Sequence, residues 1–437
     1  MKLLLVYHKT KNENGVTLII VAISIFMFLA LTSLAVDLGH LFVAHNELQN
    51  AADAGALAGA GALYSNNGLS INIGANEIAY AAAIANVSDN KFVEINDPTS
   101  NNYDVQRGHW SFGLRDLPAG FYPSDNTETV VLWDVEPEEL DENRNFINAV
   151  RVVARREKQK IGSFFARIFG YDGFQQSASA VAYIGFAGKL RPQDVDQPIA
   201  ICKNAITNES GGYTCNVGRM VTESNERETA AWTDFEQPDL CTGGTNANDL
   251  KPLICSGGNP HTIVLGKDMQ VINGQVESVF DDFWDCWWKN SKGGTQPWQM
   301  TLPVIDCSES AGKVKPCEEV LGAVTVNIVW VNDKASDKKV IDDAPSTDNN
   351  CRPCGAPINM AGFGDYQNWS ADITIPGEQR WANFVSNFKL ELGSDDPMDG
   401  WTKKTIFFVP DCQEHDLKGL TGGENFGILA KIPVLVK

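Results

Sequence analysis

Between Val16 and Val36 the chain runs for 21 residues, VTLIIVAISIFMFLALTSLAV, without a charge, a glycine or a proline. As a helix this run spans roughly 31 Å at about 1.5 Å per residue, the thickness of a bilayer's hydrocarbon core. Lys2, His8, Lys9 and Lys11 stand before it with a single Glu13, and Asp37 opens its other side. Basic residues stay on the cytoplasmic side of a span. Residues 1–15 are therefore expected as a cytoplasmic leader, 16–36 as one transmembrane helix, and the rest outside the cytoplasm. A cleaved signal ending at Ser33-Leu34-Ala35 and a buried core helix are the competing readings. The length of the run and the lysines ahead of it weigh against both.

A chain of 437 residues exceeds what one core organises, so two or three units are expected. Its formal net charge of -20 excludes nucleic acid and makes anionic lipid surfaces poor partners, because binding either relies on clustered Lys and Arg. The ten cysteines are Cys202, Cys215, Cys241, Cys255, Cys286, Cys307, Cys317, Cys351, Cys354 and Cys412, with none earlier. An even number confined to one region beyond a membrane anchor reads as a disulfide framework in an oxidising compartment, with the connectivity left open.

After the span, Asp37 to Leu63 reads DLGHLFVAHNELQNAADAGALAGAGAL and continues the helix outward to an expected end near Asn66-Asn67-Gly68. Ala52, Gly55, Gly59 and Ala62 recur every three or four positions, which admits a closely approaching backbone. That backbone belongs either to a partner helix or to the protein's own domain. A second Ala-rich helix is expected over Asn72 to Asn86. KFVEI, HWSF, TVVLW, AVRVVA and ASAVAYI follow as strand candidates bounded by Pro, Gly, Asn and Asp. The expected class is α+β: a long N-terminal transmembrane helix continuing into an Ala-rich helix, a small antiparallel-sheet domain over 37–190, and a β-rich, disulfide-bonded domain over 191–437. The boundary is drawn at Arg191 to Pro198, where the cysteines begin. In the second domain HTIVL (261–265), LGAVTVNIVWV (321–331) and TIFFV (405–409) are the strand candidates.

Asp37, Gly39, Leu48, Gln49, Ala51, Ala52, Asp53, Ala54, Ala56, Leu57, Ala58 and Gly59 make up a pattern of Asp-x-Gly, a short spacer and Leu-Gln-x-Ala-Ala-Asp-Ala behind an apolar helix. In this the chain resembles the TadE/TadG-like family of Flp (tight adherence) pilus assembly proteins. The likeness continues more loosely through about residue 190, where NAVRVVARRE, GSFFARIFG and SASAVAYIG look like the family's strand, helix and strand. The resemblance implies a non-enzymatic structural component of pilus assembly in the bacterial inner membrane. Its partners would be other pilus-assembly or pilin-like membrane proteins, met through the N-terminal helix. It makes Asp37, Gly39, Leu48, Gln49, Asp53, Gly55 and Gly59 the candidate packing residues. Gly15 followed by Val16-Thr17-Leu18-Ile19 looks like a type IV prepilin processing site, but the fifth position after it is Ile20 where pilins carry Glu. Ile20 needs no partner in lipid, which points to a membrane-retained component and leaves cleavage after Gly15 open.

Asp306-Cys307-Ser308-Glu309-Ser310 fits the Asp-x-Ser-x-Ser pattern of metal-dependent adhesion sites, yet Cys, Pro and Gly break the next segment and a polar loop is the simpler reading. Cys351-Arg-Pro-Cys354 has redox or zinc spacing but sits among prolines, which favours a structural disulfide. Phe280 to Asn290, FDDFWDCWWKN, is expected to pack its aromatics around Cys286 rather than to offer a binding surface. No Gly-x-Ser-x-Gly, HExxH or Walker A pattern occurs, so neither an enzyme nor a cofactor is expected. The alternative function is an extracytoplasmic adhesion or ligand-binding module anchored by the same helix, with a metal-dependent hydrolase behind both.

Overall fold

The computed structural model describes residues 14–65, 68, 70–86, 93–96, 98–113, 117–128, 132, 144–207, 219–221, 230–273, 277–293, 296–307, 314–332, 382, 384–386, 388–389, 405–411 and 415–437. Helix α1, Asn14–Gly61, runs unbroken for 48 residues. Its apolar half, from Val16, is exposed along its length and is long and apolar enough to cross a membrane. Its Ala-rich half buries Ala44, Leu48, Ala51, Ala52, Ala56 and Ala60. The helix stops sooner than expected. Asn72 Nδ2 donates to the Ala62 carbonyl, and Tyr64 bridges back to Ile71, so the chain turns before Asn66. Helix α2, Ala75–Ala85, then packs antiparallel on α1.

Strands β1 (Val105–Ser111), β2 (Gly120–Pro123), β3 (Ala149–Gly162) and β4 (Gly173–Tyr183) form the sheet beneath these helices. Alternation builds it: Val150, Val152 and Ala154 on β3 and Ala178, Ala180 and Ala182 on β4 face the helices, whereas Ala149, Val181 and Tyr183 meet Trp110 and Phe121 on the other side. Three alanines in a row on β4 let α1 lie close to the sheet. KFVEI contributes only the bridge Glu94 to Arg155 among the described residues, and of TVVLW only Leu132 is described, buried in this core.

Beyond it come β5 (Phe186–Leu190), β6 (Ile199–Cys202), the one-turn helix α3 (Lys203–Ile206), β7 (Arg219–Val221), β8 (Ala230–Thr233), a second single turn α4 (Ala247–Leu250), β9 (Ile263–Val264) and β10 (Asp268–Asn273). Helix α5 (Glu277–Asn290) follows, then β11 (Trp298–Ile305), β12 (Cys317–Asn332), β13 (Thr405–Pro410), β14 (Lys418–Gly423), β15 (Ala430–Ile432) and β16 (Val434–Leu435). A seven-stranded sheet has the order β10-β8-β6-β11-β12-β13-β7, and a smaller one the order β15-β14-β5-β9. The long β11–β12 ladder is the spine of the larger sheet, and α5 lays Phe280, Phe283, Trp284 and Trp287 on it. FDDFWDCWWKN is thus an amphipathic helix, with Asp281, Asp282, Asp285 and Trp288 on its exposed side and Phe280, Phe283, Trp284, Cys286 and Trp287 inside.

The last strand returns to the first unit. β16 pairs with β4 through Val434 and Tyr183, which makes the sheet beneath α1 and α2 five-stranded and antiparallel, ordered β16-β4-β3-β1-β2. Residues near 182 and 435 thus share a sheet although Arg191 to Pro198 lies between them in sequence.

Candidate functional site

The polar residue that ends the apolar run does structural work at that point. Asp37 is buried on α1, and its two carboxylate oxygens accept the backbone N–H groups of Phe164 (2.8 Å), Phe165 (3.3 and 3.2 Å) and Ala166 (2.7 Å). These donors open a 3-10 turn, Ala166–Phe169, whose first amides have no partner inside the turn. The segment GSFFARIFG is therefore the end of a β-hairpin with one tight turn, shorter than the helix its composition suggests. Gly170, at φ 88°, closes the turn in the left-handed region. Burial pushes the Asp37 carboxyl up, but the amides of Phe164, Ala166 and Phe165, with His40 nearby, outweigh this and hold it below the ordinary aspartate value.

A second carboxylate holds the same hairpin one step further from the span. Register between β3 and β4 slips between Arg156 and Ile161, leaving the Lys158 and Gln159 amides without ladder partners. Glu94 takes them, at 2.9 and 2.7 Å. Desolvation raises the Glu94 carboxyl, and the amides of Gln159, Lys158 and Glu157 lower it by more, so it too lies below its ordinary value. The hairpin also follows α1 side by side: His40 meets the Phe164 ring at 5.2 Å, His45 Nδ1 lies 3.0 Å from Gln176 Nε2, and Gln49 Nε2 reaches the Ser179 carbonyl at 3.4 Å.

The remaining packing residues divide by face. Leu48 is in the core, and Gln49 donates to Asp53 Oδ1 at 2.7 Å, one turn along the helix. Gly55 and Gly59 are the closest points of approach. A Cβ on Gly55 would lie 2.8 Å from the Ala79 carbonyl oxygen and 2.9 Å from Ala83 Cβ. On Gly59 it would lie 2.7 Å from Ala79 Cβ and 2.8 Å from Val150 Cγ1. The backbone that the small-residue stripe admits is this chain's own α2. Gly39 differs, since nothing lies within 4 Å of its added Cβ.

Six of the ten cysteines pair: Cys202 with Cys307, Cys241 with Cys317 and Cys255 with Cys286, at Cα separations of 5.5, 5.9 and 6.1 Å. The first joins the ends of the parallel neighbours β6 and β11, and the third fastens α5. Cys215, Cys351, Cys354 and Cys412 lie outside the described residues, as do Ser308, Glu309 and Ser310. Cys307, inside that adhesion-like motif, is committed to its disulfide. Among the described residues no group of three metal-binding side chains converges.

Sequence reasoning missed Glu94 and the amides of residues 158–166. Nothing local marks them, because each depends on a contact 64 or more residues away.

An exposed apolar half-helix continuous with an Ala-rich half docked on an α+β domain defines a class: an α+β protein with one N-terminal helix long and apolar enough to cross a membrane and a disulfide-bonded β-rich region. Residues 15–62 match the family described as putative Flp pilus-assembly TadE/G-like, and residues 58–182 match that described as putative Tad-like Flp pilus-assembly. Over residues 15–182, under half of its length, the chain is similar to the Tad family of Flp pilus-assembly proteins. Neither match extends past residue 182. No curated protein and no solved structure matches the chain.

Proposed function

We propose that this protein is a membrane-anchored, non-enzymatic structural component of Flp-type pilus assembly, held in the bacterial inner membrane by residues 16–36 with its N-terminus in the cytoplasm. The observation that carries the reading is the division of labour along α1. One half is apolar and unburied, and the other is spent on the protein's own α2 and sheet. Because Gly55 and Gly59 are already occupied by α2, contacts with other pilus-assembly proteins in the membrane fall to the exposed Val16–Val36 half. The 37–190 region then acts as a rigid mount that presents the disulfide-bonded 191–437 region outside the membrane.

Ile20, at the place where pilins need a carboxylate, supports a component retained in the membrane, whether or not the leader is cut after Gly15. The test is genetic and compositional. Deleting the gene is expected to abolish or reduce surface pili, with full-length protein restoring them and a version lacking residues 1–36 failing to do so. Wild-type pilus density in the deletion strain, or this chain as the most abundant subunit of purified pili, would overturn the proposal.

A further inference from the structure

The hairpin turn tied to Asp37 carries large side chains that the described residues leave mostly exposed. Phe164 is 63% exposed, Ile168 78%, Phe169 69% and Tyr171 63%, four large apolar or aromatic groups within eight residues. Such a concentration in water marks a surface with a partner. Position argues for what that partner is. Asp37 is the first residue after the uncharged span, and three amides at the start of this turn bond to its carboxylate. The hairpin then runs beside α1, with contacts at His40, His45 and Gln49, so its strands point away from the span and its turn points back toward it. A turn fixed at the height of Asp37 lies where the span leaves the hydrocarbon.

Charge agrees with this placement. The chain as a whole carries -20. Between residues 156 and 172, however, Arg156, Lys158, Lys160 and Arg167 stand against only Glu157 and Asp172, for a local balance of four minus two. Lys158, Lys160 and Arg167 are exposed. Arg167 lies in the 3-10 turn beside Ile168 and Phe169, with Asp172 3.9 Å away across open surface, a pair that contributes little. A basic rim around an aromatic tip is the pattern of an interfacial segment: rings at headgroup depth, cationic heads on lipid phosphates. Net charge argued against anionic lipid as a partner, but that sum is dominated by residues elsewhere in the chain. The two carboxylates, Asp37 and Glu94, hold the hairpin by its backbone amides, and Lys158, Lys160 and Arg167 are exposed beside them.

We propose that the Ser163–Asp172 turn is a second membrane contact, seated at the interface where α1 leaves the same bilayer, with Phe164, Ile168, Phe169 and Tyr171 at headgroup depth and Lys158, Lys160 and Arg167 on lipid phosphates. The inference rests on α1 crossing that bilayer. Two contacts on one rigid mount fix the tilt and rotation of the domain over the membrane, which a single helix alone leaves unset.

The experiment is site-specific photocrosslinking of the full chain in vesicles of phosphatidylethanolamine and phosphatidylglycerol. Benzoylphenylalanine replaces Ile168 or Phe169, with Phe26 in the span as positive control and Leu240, exposed on the second unit, as negative control. All four positions are solvent-facing, so the probe disturbs no core. Lipid adducts at 168 and 169 are expected about tenfold above those at 240 and within a few-fold of those at 26. Adducts at 26 with only background at 168 and 169 would overturn the second contact and leave the span intact. Protein adducts in place of lipid at 168 and 169 would overturn it in favour of a protein-binding surface. Absence of lipid adducts at 26 would remove the span and this inference with it.

Discussion

Adding one methyl group to each of three glycines on α1 should move stability in opposite directions. Gly to Ala inside a helix gains about 0.5–1 kcal/mol by restricting the unfolded chain and favouring the helix. At Gly39, where a new Cβ meets nothing within 4 Å, that gain should appear alone. At Gly59 the same atom arrives 2.7 Å from Ala79 Cβ and 2.8 Å from Val150 Cγ1, and at Gly55 it arrives 2.8 Å from a backbone oxygen. None of these neighbours is the loose end of a flexible side chain. Relief requires α1 to move away from α2, and at Gly59 from β3 as well, and overpacking of this kind costs about 1–3 kcal/mol. Overpacking therefore outweighs the helix gain, and Gly55→Ala and Gly59→Ala should each lose roughly 0.5–2 kcal/mol net, lowering Tm by about 2–8 °C in a unit of this size. Thermal melts of the full chain in detergent micelles, followed by near-ultraviolet circular dichroism, would measure the difference. If Gly59→Ala melts higher, as Gly39→Ala should, the close α1–α2 contact is refuted. If both inner variants melt normally yet fail to support pili, the stripe faces another protein instead of α2.

Asp37 and Glu94 both have folded-state values below their ordinary ones, so their hold on the hairpin is complete above the ordinary carboxylate range and is lost only as pH falls through a still lower value. Hydrogen-exchange protection of the Phe164 to Ala166 amides, normalised to intrinsic rates, should be flat from neutral to mildly acidic pH and fall below that. Asp37→Asn should show reduced protection that no longer depends on pH in this way, and an unchanged profile would refute the carboxylate's role. The three described disulfides close loops of 105, 76 and 31 residues, which in the loop-entropy relation corresponds to roughly 3.5–5 kcal/mol each. Under native reduction Cys241–Cys317 and Cys255–Cys286, each with an accessible cysteine, should be alkylated before the buried Cys202–Cys307, and the reverse order in a mass-mapped time course would contradict the packing. Protease added to spheroplasts should degrade the chain to a short membrane-protected N-terminal fragment, and full protection of the C-terminal region would refute the orientation.

The parts of this protein that were legible in its sequence are those whose cause is local. A span can be read from Val16 to Val36 because length and apolarity are properties of consecutive residues. The β3 and β4 strands can be read from AVRVVA and ASAVAYI because alternation has a period of two. The family pattern from Asp37 to Gly59 lies on one helix and needs no folding to be seen. FDDFWDCWWKN had the amphipathic spacing of a helix, but its dense aromatics have no strong preference for one, and only the sheet it packs on decided its form.

Tertiary structure alone decided what those residues touch. That Asp37 receives the amides of Phe164 to Ala166 depends on bringing together positions 127 to 129 apart. Glu94 finds its partners only because the β3–β4 register slips, and a slip is set by what both strands bury. The pairing of cysteines and the return of Val434 to β4 have the same character: contacts between distant segments are chosen by the packing of the whole, and no window of sequence contains both halves of them.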